Sequence, residues 1–206
     1  MRKIQKNREP RQLTEYKKQP GANYEGFREK DVLREGLVQE QRGLCCYCMR
    51  RIRSNDTDMK IEHCLSQEDR EDQALNYGNL LGACKGGEGS RPKNQHCDTK
   101  KGSHSLSFNP AGPHFDLEAK IKFLGDGTIY SENPTIEDEL GEGILNLNLA
   151  ELKAGRKAVL VAFQARLQKG RPLNSARELQ KWDGSQGTEL PEYAEVVAAY
   201  LRKKLR

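Results

Sequence analysis

All six cysteines of this 206-residue chain lie between Cys45 and Cys97. That crowding constrains the fold more than any other feature of the sequence. Cys45 and Cys48 form C-x-x-C, which lets two thiolates on one tight turn reach a single tetrahedral Zn²⁺ at about 2.3 Å. One such pair does not close a structural site, and the remaining candidates are Cys64, Cys84, His96 and Cys97. We read Cys45, Cys48, Cys84 and Cys97 as a four-thiolate site. The twelve residues between the second pair include KGGEGSRPKNQ, whose three glycines and one proline are loop chemistry. Cys46 adjoins a ligand and points elsewhere, and Cys64 packs inward as a small hydrophobe. The competing reading is six buried thiols with no metal.

Composition bears on that choice. Hydrophobic residues make up 35% of the chain and charged residues 32%, so the core is small and a metal clip would help it hold. No run of about 18 apolar residues marks a membrane span. The first twenty residues are basic but lack the apolar stretch of a secretory signal. A cytoplasmic protein with no membrane association is the expectation, and in a reducing compartment clustered cysteines favour metal over disulfides. The net charge of +5 is unevenly spread. Residues 1–20 carry seven basic and two acidic side chains, and residues 151–206 carry twelve and six. Residues 115–143 carry two and eight. Basic patches suit nucleic acid, although charge runs are also ordinary solvated faces.

Three regions follow. Residues 1–43 hold an arm, 1–26, interrupted by Pro10, Pro20, Gly21 and Gly26, which is expected to order on a partner. A helix over about 29–41 then places Val32, Leu33, Leu37 and Val38 at helical spacing, with Gly43 as its stop. Residues 44–104 form the cysteine-rich unit, with a short strand at KIEHCL and a turn leading into the apolar stretch of NYGNLLGAC. Residues 105–206 are mixed and then helical. A hairpin turns at Asp126-Gly127, and a helical pattern runs from Ile144, interrupted by Gly170 and Pro172. A last amphipathic helix follows Pro191. Leu147, Leu152, Val159 and Phe163 either build a small helical core, the favoured reading, or dock on another subunit. Trp182 reads as a helix-packing anchor, and His104 and His114 as surface residues.

Within the cysteine-rich unit, CCYC, IEHCLSQ, GNLLGAC and HCDTKKG together resemble the HNH endonucleases, the ββα-metal family. With FNP, GTI and LNLN downstream, they look closest to the HNH subunits of Septu-type and retron-associated antiphage systems. The resemblance spans roughly residues 2–165 and is most specific in its motif core. It implies an α+β fold, in which a ββα-metal finger with a structural zinc site is flanked by an N-terminal arm and helix and a C-terminal helical region. It implies His63 as general base, Asn79 as the residue that ties the connecting loop and orients His63, and Glu62 and Asp98 as ligands of a catalytic Mg²⁺ or Mn²⁺. Lys100 or Lys101 would contact phosphate. Many family members carry Asn or His where this chain has Asp98. The expected partners are an ABC-type ATPase subunit, a nucleic-acid substrate and, through the ATPase, retron RNA or DNA.

The residues suit that chemistry on their own terms. Phosphodiester hydrolysis needs an activated water and a cation to stabilise charge on the phosphate and leaving oxygen. Neutral histidine is a suitable base near pH 7, and hard carboxylate oxygens suit Mg²⁺ or Mn²⁺. On a regular strand Glu62 and His63 point to opposite faces, so the resemblance implies a bend there. Other readings stay open for single residues: Asn79 as a plain turn residue, Lys100 and Lys101 as solvated charges. Two further functions stay open: an RNase acting on tRNA, and a non-catalytic zinc module that binds nucleic acid or a partner.

Overall fold

The computed structural model describes residues 1–168, 174–185 and 187–205. The chain is α+β, with two small two-stranded sheets among the described residues. Its central element is an antiparallel pair, β1 (Met59–His63) and β2 (Leu80–Cys84), in a register that sets Met59 opposite Cys84 and His63 opposite Leu80. Both strands fall on the sequence runs that suggested them. Pairing is regular through Glu62 and His63, so no bend separates the two side chains.

Two helices precede the pair, α1 (Arg11–Tyr16) and α2 (Lys30–Glu40). The face of α2 carrying Leu33 and Leu37 is fully buried. Gly43, at φ +75°, donates back to Val38 O at 2.9 Å, the stop that its position suggests. The outer edge of β2 is covered rather than open. Gly82 N donates to Gln41 Oε1 at 2.6 Å, and Gly82 O accepts from Gln41 Nε2 at 2.8 Å and from Cys46 N at 3.0 Å.

The arm departs from the sequence reading. It does not wait for a partner: Met1, Ile4 and Leu13 are buried in the main core, with Phe27. Ile4 N donates to Pro110 O at 2.9 Å, and Asn7 N to Glu40 Oε2 at 3.1 Å. Lys6 pairs with Glu40 and donates to Leu80 O at 2.8 Å, pinning the arm across the end of α2 and the start of β2. The physical reason is that single apolar residues in an extended chain bury one at a time against other elements, leaving no period of their own to read.

After β2 comes a short helix, α3 (Cys97–Lys101), then α4 (Leu117–Lys120), a small hairpin of β3 (Lys122–Phe123) and β4 (Ile129–Tyr130), and α5 (Pro134–Leu140). The hairpin turns at Asp126-Gly127 as expected. The long helix α6 (Ala150–Gln168) starts later than the pattern from Ile144 suggests. Residues 144–149 brace the approach to α3 instead. Asn146, at φ 49°, donates from Nδ2 to Lys93 O at 3.1 Å and Gln95 O at 2.8 Å, and Leu145 O accepts from Cys97 N at 2.9 Å. Gly170 and Pro172 lie outside the described residues. Helices α7 (Ser175–Trp182) and α8 (Ala194–Leu205) pack on α6, where the Phe163 and Trp182 rings meet edge to face at 5.7 Å. Leu147, Leu152 and Phe163 are buried, which settles them as core rather than docking residues. Among the described residues no helix is long and apolar enough to cross a membrane.

Because the arm supplies core, Leu13→Ala is expected to cost about 2–5 kcal/mol, the usual range for a fully buried leucine. Deletion of residues 1–24 is expected to abolish a single cooperative thermal transition. Circular dichroism melts of the two variants against the parent check both.

Candidate metal centre and active site

Four sulfurs converge where the chain segments around β2 meet. Cys45 and Cys48 lie on the knuckle before β1, Cys84 ends β2, and Cys97 begins α3. All four Sγ atoms lie within 4.8 Å of one another. Cys45 and Cys97 are 3.8 Å apart and Cys48 and Cys84 3.6 Å. A tetrahedron with metal–sulfur bonds of about 2.3 Å has edges of about 3.8 Å, so the cluster is already close to the size that Zn²⁺ requires. Cys97 reaches it with φ 55°, a left-handed backbone that a non-glycine residue adopts at a cost of about 1 kcal/mol or more. The loop between the last two ligands depends on Gly86, where an added Cβ would stand 2.0 Å from His96 O.

The surroundings also fit a metal. Burial opposes ionisation of Cys45, but the thiols of Cys46, Cys48, Cys84 and Cys97 overcome it and hold its pKa well below the ordinary value. Arg156 is 0% exposed and makes no ion pair among the described residues. Its Nε donates to Gly127 O at 2.5 Å and one Nη to Leu147 O at 2.7 Å, while the other Nη has no hydrogen-bond partner. Burial lowers its pKa, and the charge is supported by Tyr193, then by Cys48 and Cys97, then by Asp126. Four thiolates around a divalent ion carry a net charge of −2, which is the counter-ion a buried guanidinium lacks here. The cluster is therefore able to hold a metal such as zinc. His96, weighed in the sequence as a ligand and not chosen, is buried with Nδ1 3.1 Å from Cys97 Sγ, the position of an outer partner to a ligand.

The other two cysteines behave as expected. Cys46 is buried outside the cluster, and burial raises its pKa well above the ordinary value. Cys64 donates to Phe108 O at 3.2 Å, and burial pushes its pKa up to about 12.

Glu62, His63, Asp98 and Lys101 line a cavity of about 240 Å³, room for roughly eight waters at ~30 Å³ each. A larger cavity of about 560 Å³ between β3 and α8 gathers neither histidine nor cysteine. Glu62 is almost fully buried. Its Oε1 accepts from Tyr47 Oη at 2.6 Å and pairs with Lys101 Nζ at 3.0 Å. Burial raises the Glu62 pKa well above the ordinary carboxyl range, and a hydrogen bond with the Asp98 carboxyl raises it further. A divalent cation held beside Glu62 and Asp98 would replace the proton that the raised Glu62 pKa retains. Asp98 also lies 3.8 Å from Lys60 Nζ.

His63 ends the same strand and lines the same cavity. Its Nε2 is 3.1 Å from Ala74 O. A carbonyl only accepts, so Nε2 carries the proton, and Nδ1 is the bare nitrogen of the neutral ring. Burial lowers the His63 pKa below 6.5, which keeps the ring neutral at pH 7. Asn79 acts on the connecting loop, as anticipated. Its Oδ1 accepts from Leu65 N at 2.8 Å, and its Nδ2 donates to Leu65 O at 3.0 Å and Gln73 O at 3.2 Å. It orients His63 only indirectly, through the loop that presents Ala74 O.

The two lysines differ from their expected role. Lys101 is buried, held by Glu62 and by His63 O at 3.1 Å. Lys100 donates to Pro92 O at 3.2 Å and lies outside the cavity lining. Sequence reasoning also missed Tyr24, whose ring meets the His63 ring edge-on at 4.4 Å, and Lys30, whose Nζ sits 3.0 Å from the Tyr24 ring centroid. Burial pulls Lys30 down to about 8. Neither residue carries a sequence signal, because the contact joins the arm to a strand tens of residues away.

Cys45→Ala and Cys84→Ala are expected to lose both bound metal and the cooperative fold, whereas Cys46→Ala and Cys64→Ala keep about one metal per chain. Elemental analysis beside thermal melts checks the assignment. No protein-family model matches the chain, and no curated protein matches it, so the site is read from its own residues.

Proposed function

We propose that this chain is an HNH-type endonuclease that hydrolyses phosphodiester bonds, with DNA the favoured substrate. In this reading Cys45, Cys48, Cys84 and Cys97 hold a structural Zn²⁺, and Glu62 and Asp98 hold a catalytic Mg²⁺ or Mn²⁺. The observation that carries the reading is the shared cavity. The buried Glu62, the partly buried Asp98 and a histidine with a bare Nδ1 line it together, on a strand–strand–helix order that carries four converging sulfurs.

The division of labour follows from the residues. A divalent cation between the carboxylates would neutralise charge on the phosphate and the leaving oxygen. His63 Nδ1 takes the proton from the attacking water while Nε2–H stays on Ala74 O, fixing the ring. Asn79 keeps that carbonyl in place by holding residues 65–73. Tyr24 packs against the imidazole and limits its rotation. The resemblance of the motif core to Septu-type HNH subunits supports placing this activity in an antiphage complex with an ABC-type ATPase.

The experiment is incubation of the purified protein, with and without the ATPase, with plasmid DNA and with total tRNA in Mg²⁺. Cleavage of plasmid supports the proposal, cleavage of tRNA alone makes the chain an RNase, and cleavage of neither leaves a binding module. His63→Ala is expected to lower cleavage at least 10²-fold, the usual contribution of a general base, with metal content and melting nearly unchanged. The pH dependence separates the two groups. Protons compete with the cation for the Glu62 carboxyl, whose pKa burial raises, so the acid limb of the rate profile should move to lower pH as Mg²⁺ rises. It should stop moving where His63 protonates, below the ordinary histidine value.

A further inference from the structure

Tyr47 lies inside the knuckle, between Cys45 and Cys48, and is 0% exposed. The knuckle is a closed turn, with Cys45 N donating to Arg50 O at 2.8 Å and Met49 N to Cys45 O at 3.1 Å. Cys46 N fixes it to β2 through Gly82 O at 3.0 Å. A side chain leaving this turn therefore has little freedom. The Tyr47 hydroxyl ends 2.6 Å from Glu62 Oε1 and donates to it. Lys101 Nζ, from the helix that starts at Cys97, approaches the same oxygen at 3.0 Å. Both donors thus converge on Oε1, and both come from segments that carry sulfur ligands. Their convergence fixes the carboxyl about its last bond and leaves Oε2 outside both contacts.

We propose that Tyr47 is a positioning residue for the cation-binding carboxylate, so that the turn carrying two sulfur ligands aims Glu62 at Asp98. The inference rests on the nuclease reading, in which Glu62 and Asp98 hold a divalent cation. It makes the two metal sites one mechanical unit. The sulfur cluster holds the knuckle and α3, and these present the two donors that orient the carboxylate. It also gives the residue between the C-x-x-C cysteines a role that the spacing of the ligands does not require.

The test is Tyr47→Phe, which keeps the buried ring and removes only the donor. Mn²⁺ binding to the full-length zinc-loaded protein is measured by electron paramagnetic resonance, and cleavage is titrated with Mg²⁺. Loss of an outer partner to a ligand weakens metal affinity by about 10–100-fold. Tyr47→Phe should therefore raise the Mn²⁺ Kd at least tenfold and shift half-saturating Mg²⁺ by a similar factor, with the plateau rate within about twofold. In a Glu62→Gln background the same substitution should change Mn²⁺ binding no further, because its effect runs through that carboxylate. Unaltered Mn²⁺ affinity in Tyr47→Phe overturns the inference, as does an equal loss in both backgrounds. Loss of zinc or of the cooperative melt also overturns it, since Tyr47 would then be part of the fold alone. If the parent protein itself shows no saturable Mn²⁺ binding, the nuclease site is wrong and not merely the role of Tyr47.

Discussion

Convergence of four sulfurs decides where almost everything else in this chain stands. Cys84 terminates β2, Cys97 initiates α3, and the knuckle of Cys45 and Cys48 lies along the outer edge of β2. Nothing else of comparable strength ties α3 to the strands. That helix has five residues, too few to be stable alone, and it begins on a residue with a left-handed backbone. Its other supports include the hydrogen bonds that residues 144–149 make to its approach, those of Thr99 with Lys60 and Lys85 O, and buried Lys101 on Glu62 and His63 O. A thiolate cluster around a divalent ion would supply what the small core does not, and its net negative charge would account for a fully buried arginine among backbone carbonyls.

Once α3 is placed, the carboxylate site follows. Asp98 is the residue after the last sulfur ligand, and Lys101 stands one helical turn after Cys97, so both arrive at β1 together. The group then contains two carboxyls, Glu62 buried and Asp98 partly so, with Lys101 on the first and Lys60 3.8 Å from the second. Burial of Glu62 opposes its ionisation and the neighbouring Asp98 adds to that, which is why its pKa stands well above the ordinary carboxyl range. His63, at the end of the strand, feels Asp98 and Lys101 as smaller effects beside its own burial. There a carbonyl and an aromatic edge surround it, and burial favours the neutral ring.

What the sequence disclosed and what it hid divide along physical lines. Helix α2, both central strands and the Asp126-Gly127 hairpin were legible because each carries its own apolar period or turn chemistry. The four sulfur ligands were legible because a C-x-x-C demands a second pair. The arm was not, since Met1, Ile4 and Leu13 bury against elements far along the chain without any internal pattern. Residues 144–149 kept a helical pattern, yet Asn146 gives its side chain to the carbonyls of 93 and 95, and local propensity lost to a tertiary contact. Lys101 sits in KKG, a surface-like string, and only its position on α3 reveals that it faces a buried glutamate.

The two candidate metal sites differ in a way that keeps their occupants apart. The sulfur site has four protein ligands, three of them buried and one partly so, at distances that leave no open position. Closed sets of soft ligands hold an ion for structure. The carboxyl site offers two hard groups beside a cavity of about 240 Å³, which leaves room for solvent and a phosphate. Ligand softness separates zinc from magnesium, and openness separates folding from chemistry. Tyr47, from the knuckle, and Lys101, from the helix that starts at Cys97, both reach Glu62 Oε1 and join the two, so an ion held by the sulfurs would also set the aim of that carboxylate.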